Sequence, residues 1–165
     1  MGRITPGGVG IEIEVDGDVQ ISRELLRFTG RIEDASPAFE AIADDLRDVE
    51  KEQFDSQGGR SSGGWKKLAA STIAAKAAAG LDSRILHATL AMRRSLTEKS
   101  DPAHIEKITK DSLTFGSSDE KLPIHQHGSA DGQHPPQRRP LELTKMDREG
   151  IVKKLQRFMV EGVTA

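Results

Sequence analysis

ASPAFEAIADDLRDVEKEQF, residues 35–54, is the stretch on which the fold turns. Phe39, Ile42, Leu46 and Val49 recur at steps of three and four, so they line one face of a helix. Acids fill the remaining faces, several of them set toward the positive end of the helix dipole. Ser36 is placed to cap the N-terminus, and Pro37 fits the first helical position, where its missing N–H costs nothing. The pattern predicts a helix over 36–55, with one apolar stripe that some other element must cover.

Outward from this helix the period changes. GIEIEVDG, residues 10–17, alternates Ile11, Ile13 and Val15 with Glu12 and Glu14, the pattern of a half-buried strand. VQISRELLRF then either returns as a second strand or starts a helix, within an N-terminal strand region over 1–32. On the other side, DSQGGRSSGG is too rich in glycine and serine to pack, which predicts a flexible loop over 55–64. WKKLAASTIAAKAAAG reads as an alanine-rich helix capped by Ser71 or Thr72 and ended by Gly80. LDSRILHATLAMRRSLT is a short amphipathic helix carrying Ile85, Leu86, Leu90 and Leu96. AHIEKITKDSLTFGS has the alternation and turn of a β-hairpin. Residues 116–134 read mostly as loop, with a second flexible segment over 117–137. LEL, residues 141–143, looks like a short strand. Thr144 with Asp147 matches a capping box, and Ile151, Leu155 and Phe158 line a final helix stopped by Gly162.

These elements give an α+β class: a small, mainly antiparallel sheet packed by an N-terminal and a C-terminal helix, with long flexible loops. At 165 residues the chain reads as one domain over 1–165. No cysteine is present, which excludes disulfides and thiol chemistry. No apolar run approaches the ~20 residues that span a bilayer, and the opening MGRITPGG lacks a signal core, so synthesis and folding in the cytosol are expected. A net charge of −2 conceals a division. Residues 33–55 hold nine acids against Arg47 and Lys51, and residues 60–99 hold eight bases against Asp82 and Glu98. The two regions pair either within the chain or between copies in a ring. No basic patch interleaved with aromatics supports nucleic-acid binding.

The chemistry-bearing residue types are sparse. His125 and His127 would share one side of a strand, with His134 a loop away, but no cysteine or HExxH helix completes a metal set. No two carboxylates stand isolated in an apolar setting that would split their pKa values. GRSSGG does not continue into a phosphate loop, and its serines lack a nucleophile elbow. Trp65 reads as a buried anchor after the loop. Arg138 and Arg139 are either a solvated pair or a clamp for carboxylates of a neighbouring copy.

The order of motifs from about residue 54 to 162 resembles the tailed-bacteriophage virion-morphogenesis family of tail-completion, or neck, proteins. Trp65, Leu68, Thr72 and Lys76 match its GW..L and T...K positions, and Ile85, Leu86, Thr89, Leu90, Arg93 and Ser95 its next apolar motif. Ile124, His125, Gln126 and Gly128 match IHQ.G, and Arg139, Pro140 and Leu141 match RP followed by an apolar residue, with Arg138 beside them. Leu122 and Pro123 replace the aromatic and small residues usual before IHQ. The resemblance implies that His125 and Gln126 hold backbone near Gly128. It also implies a structural virion protein, not an enzyme and without cofactor or metal, at the phage head–tail interface. There it would complete or join the tail as part of a ring of identical copies, hexameric on this resemblance, around the DNA channel. Its neighbours would be adaptor or stopper, tail terminator or tail-tube proteins, with DNA passing through without sequence-specific contact and no membrane involved. Its location would be the virion neck or tail, after assembly in the host cytoplasm. A tail terminator capping the tube is the alternative in this class. Outside it stand a His-based metal-dependent enzyme and a nucleic-acid-binding module.

Overall fold

The computed structural model describes residues 18–60, 63–128 and 135–164. Their elements run α1 (Asp18–Glu33), α2 (Ser36–Asp55), α3 (Ala70–Ala78), α4 (Ala91–Thr97), β1 (His104–Ile108), β2 (Leu113–Ser117), α5 (Leu122–His127) and α6 (Lys145–Glu161). The class is α+β, and the sheet is one antiparallel hairpin in which Glu106 faces Phe115 and Ile108 faces Leu113. The strand expected over Ile11–Val15 lies outside the described residues.

α2 organises the molecule. Its buried residues include Ile42, Leu46, Glu50, Gln53 and Phe54, spaced to form one stripe. The stripe touches two apolar clusters. Ala35, Ala38 and Phe158 form the smaller, with Phe39, Leu155 and Met159 packed on it. Phe54, Trp65, Ile85, Met92, Leu96 and Leu122 form the larger, joined by Leu68, Leu86, Phe115 and Leu141. The hairpin packs on α4 and α2, while the C-terminal helix α6 takes α2 and α1 as its main partners. Arg47 of α2 pairs with Glu106 of β1, whose buried carboxylate also meets Lys99 at 2.8 Å.

Several local expectations are corrected. Residues 18–32 are helical, because Ile21, Leu25, Phe28 and Ile32 keep helical steps while adjacent Leu25 and Leu26 break a strand's alternation. Ser36 is not the cap of α2; Ala35 is, and the Asp34 side chain accepts the Ser36 N–H at 3.0 Å. No acid stands in the first turn of α2, so the helix dipole gains nothing there. Neither Ser71 nor Thr72 caps α3, which starts after Ala69. Residues 85–90 are not helical, since Leu86 and Leu90 both take φ of 59°, a region costly for a side chain with a Cβ. Residues 122–127 are a helix rather than loop, with Leu122 buried and Pro123 in the first turn. Leu141–Leu143 is not a strand: the Gln126 side chain both donates to the Leu141 carbonyl (2.8 Å) and accepts its N–H (3.2 Å). Gly80 and Gly162 follow α3 and α6 with φ of 65° and 75°, and Thr144 and Asp147 form the capping box of α6.

Residues 56–60 form hydrogen-bonded turns, not an open loop. Gly58 N–H donates to Gln53, and Trp65 N–H to Gln57. Gly58 has φ of +83°, and a Cβ there would lie 2.3 Å from the Trp65 ring, so only glycine lets the turn close over the indole. Trp65 is buried, meets Phe54 edge-on at 5.3 Å, and donates Nε1–H to the Arg139 carbonyl at 3.0 Å. We expect Trp65→Ala to lower unfolding free energy in urea titrations by roughly 3–5 kcal/mol. Trp65→Phe keeps an aromatic ring but loses the N–H donor and part of the indole's volume, and should cost less than Trp65→Ala, about 1–3 kcal/mol, because Gln53 Nε2 still donates to the same carbonyl.

Candidate functional site

The matched motif residues, distant in sequence, converge. Leu68, Thr72, Lys76, Leu86, His125 and Arg138 line one cleft of about 850 Å³. α3 contributes Thr72 and Lys76, the 86–92 segment and His125 of α5 add to the lining, and Pro135 and Pro136 also border it. Trp65, Gln126, Gly128 and Pro140 build the frame rather than the lining. Pro140 is fully buried, and a Cβ on Gly128 would stand 2.7 Å from the Gln137 backbone nitrogen. Leu90 caps α4, and Arg139 is exposed beside Glu142 at 3.2 Å.

Arg138 sits in the cleft floor, 6% exposed. Its Nε–H donates to the Lys66 carbonyl at 2.8 Å and its Nη2 to the Lys67 carbonyl at 3.3 Å, while its backbone N–H donates to His125 at 2.8 Å. Two of its donors are thus taken by backbone carbonyls, while the side chain still lines the cleft. Burial pulls its pKa down, yet a guanidinium stays charged. Burial, and then the Arg138 charge, also hold His125 below the usual imidazole range, which keeps it neutral near pH 7. The His125 Nδ1 has no hydrogen-bond partner among the described residues, whereas the Gln126 side chain holds the Leu141 backbone. On a helix His125 and His127 point about 200° apart, so they do not share a side. His134 lies outside the described residues, and among those described no three His, Cys, Asp or Glu side chains gather as a metal set.

The cleft is basic. Lys66, Lys67, Lys76, Lys121 and Arg138 line it against one carboxylate, Asp119, which accepts the Lys121 backbone N–H at 2.8 Å. Lys76 donates to the Arg84 carbonyl. Lys66, Lys67 and Lys121 make no ion pair among the described residues. Leu68, Leu86 and Met92 supply apolar surface between them. The lining combines these cations with the hydroxyls of Thr72 and Thr89 and the His125 imidazole. It suits a partner that is apolar on one side and acidic on the other.

The charge division seen in the sequence is met in part within the chain, where two pairs join the two regions and others reach α6. Arg60 pairs with Glu52 (2.9 Å) and Asp147 (2.6 Å), Arg93 with Asp55 (3.3 Å) and Lys154 with Asp45 (2.6 Å). One acid of α2 escaped sequence reading. Glu50 is 0% exposed, and neither carboxyl oxygen has a hydrogen-bond partner among the described residues. Burial pushes it up to about 8, with Asp147 adding to the rise and Arg60 opposing it. Burial also raises Asp147, but hydrogen bonds from Arg60 and Thr144 outweigh that and hold it below the usual range. Two carboxylates with divided pKa values thus do exist, contrary to the sequence reading. The signal was the spacing of Ile42, Leu46, Glu50 and Gln53 along the buried stripe.

A family model described as the phage virion morphogenesis family matches residues 16–159. The chain belongs to that family. No curated protein and no solved structure matches it. As a member of the phage virion morphogenesis family it has a structural or assembly role in building the virion, and no helix among its described residues is long and apolar enough to cross a membrane.

Glu50 makes stability depend on pH with a definite sign. Its folded pKa lies above its unfolded value, so the unfolded chain releases the proton first and stability falls as pH rises from about 4.5 to about 8. Glu50→Gln should remove that loss. We expect the variant to match wild type near pH 4 and to exceed it by up to about 5 kcal/mol above pH 8 in chemical denaturation.

Proposed function

We propose that this protein completes or joins the tail at the head–tail interface of a long-tailed phage, as one of a ring of identical copies around the DNA channel. The family match over residues 16–159 carries the reading. The surface supports it. α1 is exposed from residue 21 to 30 and presents Ile21, Leu25 and Leu26, while Val160 stands 68% exposed nearby. Apolar area of this kind marks a subunit that is covered on assembly. The basic cleft adds a second, chemically different surface on the same molecule.

The working parts are surfaces, not a reaction centre, and the protein acts without metal or cofactor. Neck and tail proteins are its neighbours, and DNA passes the ring without base-specific contact. We expect thermal unfolding to coincide with and without EDTA; a fall of several degrees would instead point to a bound metal.

The functional test is removal of the gene. Phage lacking this protein should accumulate full heads and separate tails of normal length by electron microscopy, and native mass spectrometry of the purified protein should show a closed oligomer. Overlong tails would assign it to the tube terminator. Normal virions would overturn the reading.

A further inference from the structure

The cleft and the outer face of α2 are opposite in charge and in shape. Glu40, Asp44 and Asp48 stand at steps of four on the exposed side of α2, about 6 Å apart along its axis. Pro37 is exposed and Ala41 half-buried beside them, so small apolar side chains border the row. Glu40 has no ion pair among the described residues. Asp44 and Asp48 pair with Arg47 and Lys51 of their own helix and stay 69% and 76% exposed. Exposed pairs of this kind contribute little and exchange partners cheaply. The cleft is concave and carries Lys66, Lys67 and Lys121, none in an ion pair among the described residues, beside the apolar surface of Leu68, Leu86 and Met92. Lysine stems pack along such surface while their ammonium groups reach outward. We propose that this cleft receives the ridge formed by Glu40, Asp44 and Asp48 on α2 of a second copy of the chain. The proposal deepens the ring reading above and rests on it.

A second copy is needed because α2 is fixed within its own chain. Ile42, Leu46 and Phe54 are buried, and Phe54 shares a cluster with Met92, on which Leu68 and Leu86 pack. Asp44 is two residues from Leu46, about 160° round the helix, so the ridge points away from the core on which its own cleft is built. Its flanks are held as well: Arg47 pairs with Glu106 on one side, and Asp45 with Lys154 at 2.6 Å on the other. Turning the acids into the same chain's cleft would empty that core. A neighbouring copy presents them with the core intact. A contact between two unlike surfaces is heterologous, the kind that closes into a ring when the rotation between copies permits.

The absence of cysteine makes the test direct. Full-length chains carrying Glu40→Cys and Ala88→Cys, the latter an exposed position lining the cleft, are co-expressed and mildly oxidised. A disulfide-linked dimer should appear on a non-reducing denaturing gel from the co-expressed pair and from neither variant alone. Absence of that dimer, while native mass spectrometry still shows the oligomer, overturns the proposal and leaves the ring reading standing. Absence of any oligomer of the wild-type chain overturns both. As a second readout, Glu40→Lys with Asp48→Lys should weaken assembly by about tenfold or more, and adding Lys67→Glu with Lys121→Glu should restore it, in chains that unfold at the wild-type urea concentration. Unchanged assembly of the first variant, or no rescue by the second pair, overturns the charge pairing on which the proposal stands. If Lys67→Glu with Lys121→Glu alone assembles normally but loses salt-sensitive binding of double-stranded DNA, the cleft serves nucleic acid and the proposal falls.

Discussion

The carbonyl of Arg139 is the point on which the rest of the structure depends. It accepts from Trp65 Nε1 and from Gln53 Nε2, and so ties the end of α2, the turn after it and the strap before α6. The indole adds its edge-on contact with Phe54 and the close cover of Gly58. The chain has one tryptophan and no tyrosine, and this side chain spans elements 74 residues apart. The cleft inherits its shape from the same place. Arg138 immediately precedes the anchored carbonyl, and its guanidinium holds the Lys66 and Lys67 carbonyls, fixing the residues that follow the indole. Binding surface and core are therefore built from the same few peptide units.

Charge is used differently inside and outside. Arg60 and Asp147 bridge the turn after α2 to the first turn of α6, and Asp147 also caps that helix. Breaking such a buried pair from one side leaves an uncompensated charge, so these residues act together. Glu50 beside them has no such compensation and stays protonated near pH 7. That form costs less than a buried carboxylate would, although its oxygens are still without hydrogen-bond partners among the described residues. Five of the nine acids of residues 33–55 meet a cation within the chain, and Lys66, Lys67, Lys76, Lys121 and Arg138 line the cleft without an ion pair among the described residues.

Legibility in the sequence followed the range of the interactions. α2, the hairpin, the capping box and the glycine stops of α3 and α6 are set by neighbours a few residues apart, and periodicity or capping chemistry exposes them. α5 was hidden because its single buried side chain, Leu122, leaves almost no apolar period in LPIHQH. LEL carries strand propensity, but its backbone is claimed by Gln126, 15 residues away. ILHATL has helical spacing, yet positive φ at Leu86 and Leu90 breaks it, and Ile85 N–H goes to the Gln57 side chain instead. The motif residues were legible one by one. Their convergence on a single cleft was not, because it depends on the strap over 135–141 crossing back to α5 and to residues 65–67.

The same division bears on how a small subunit could assemble in one direction. A ring of identical copies needs two surfaces that fit each other and do not fit themselves. A cleft lined by five cations and one acid repels its own image, so copies gain nothing by meeting cleft to cleft. The buried Arg138 contributes to this field without exposing itself, since its positive charge is held beneath the cleft by backbone carbonyls rather than neutralised by a carboxylate.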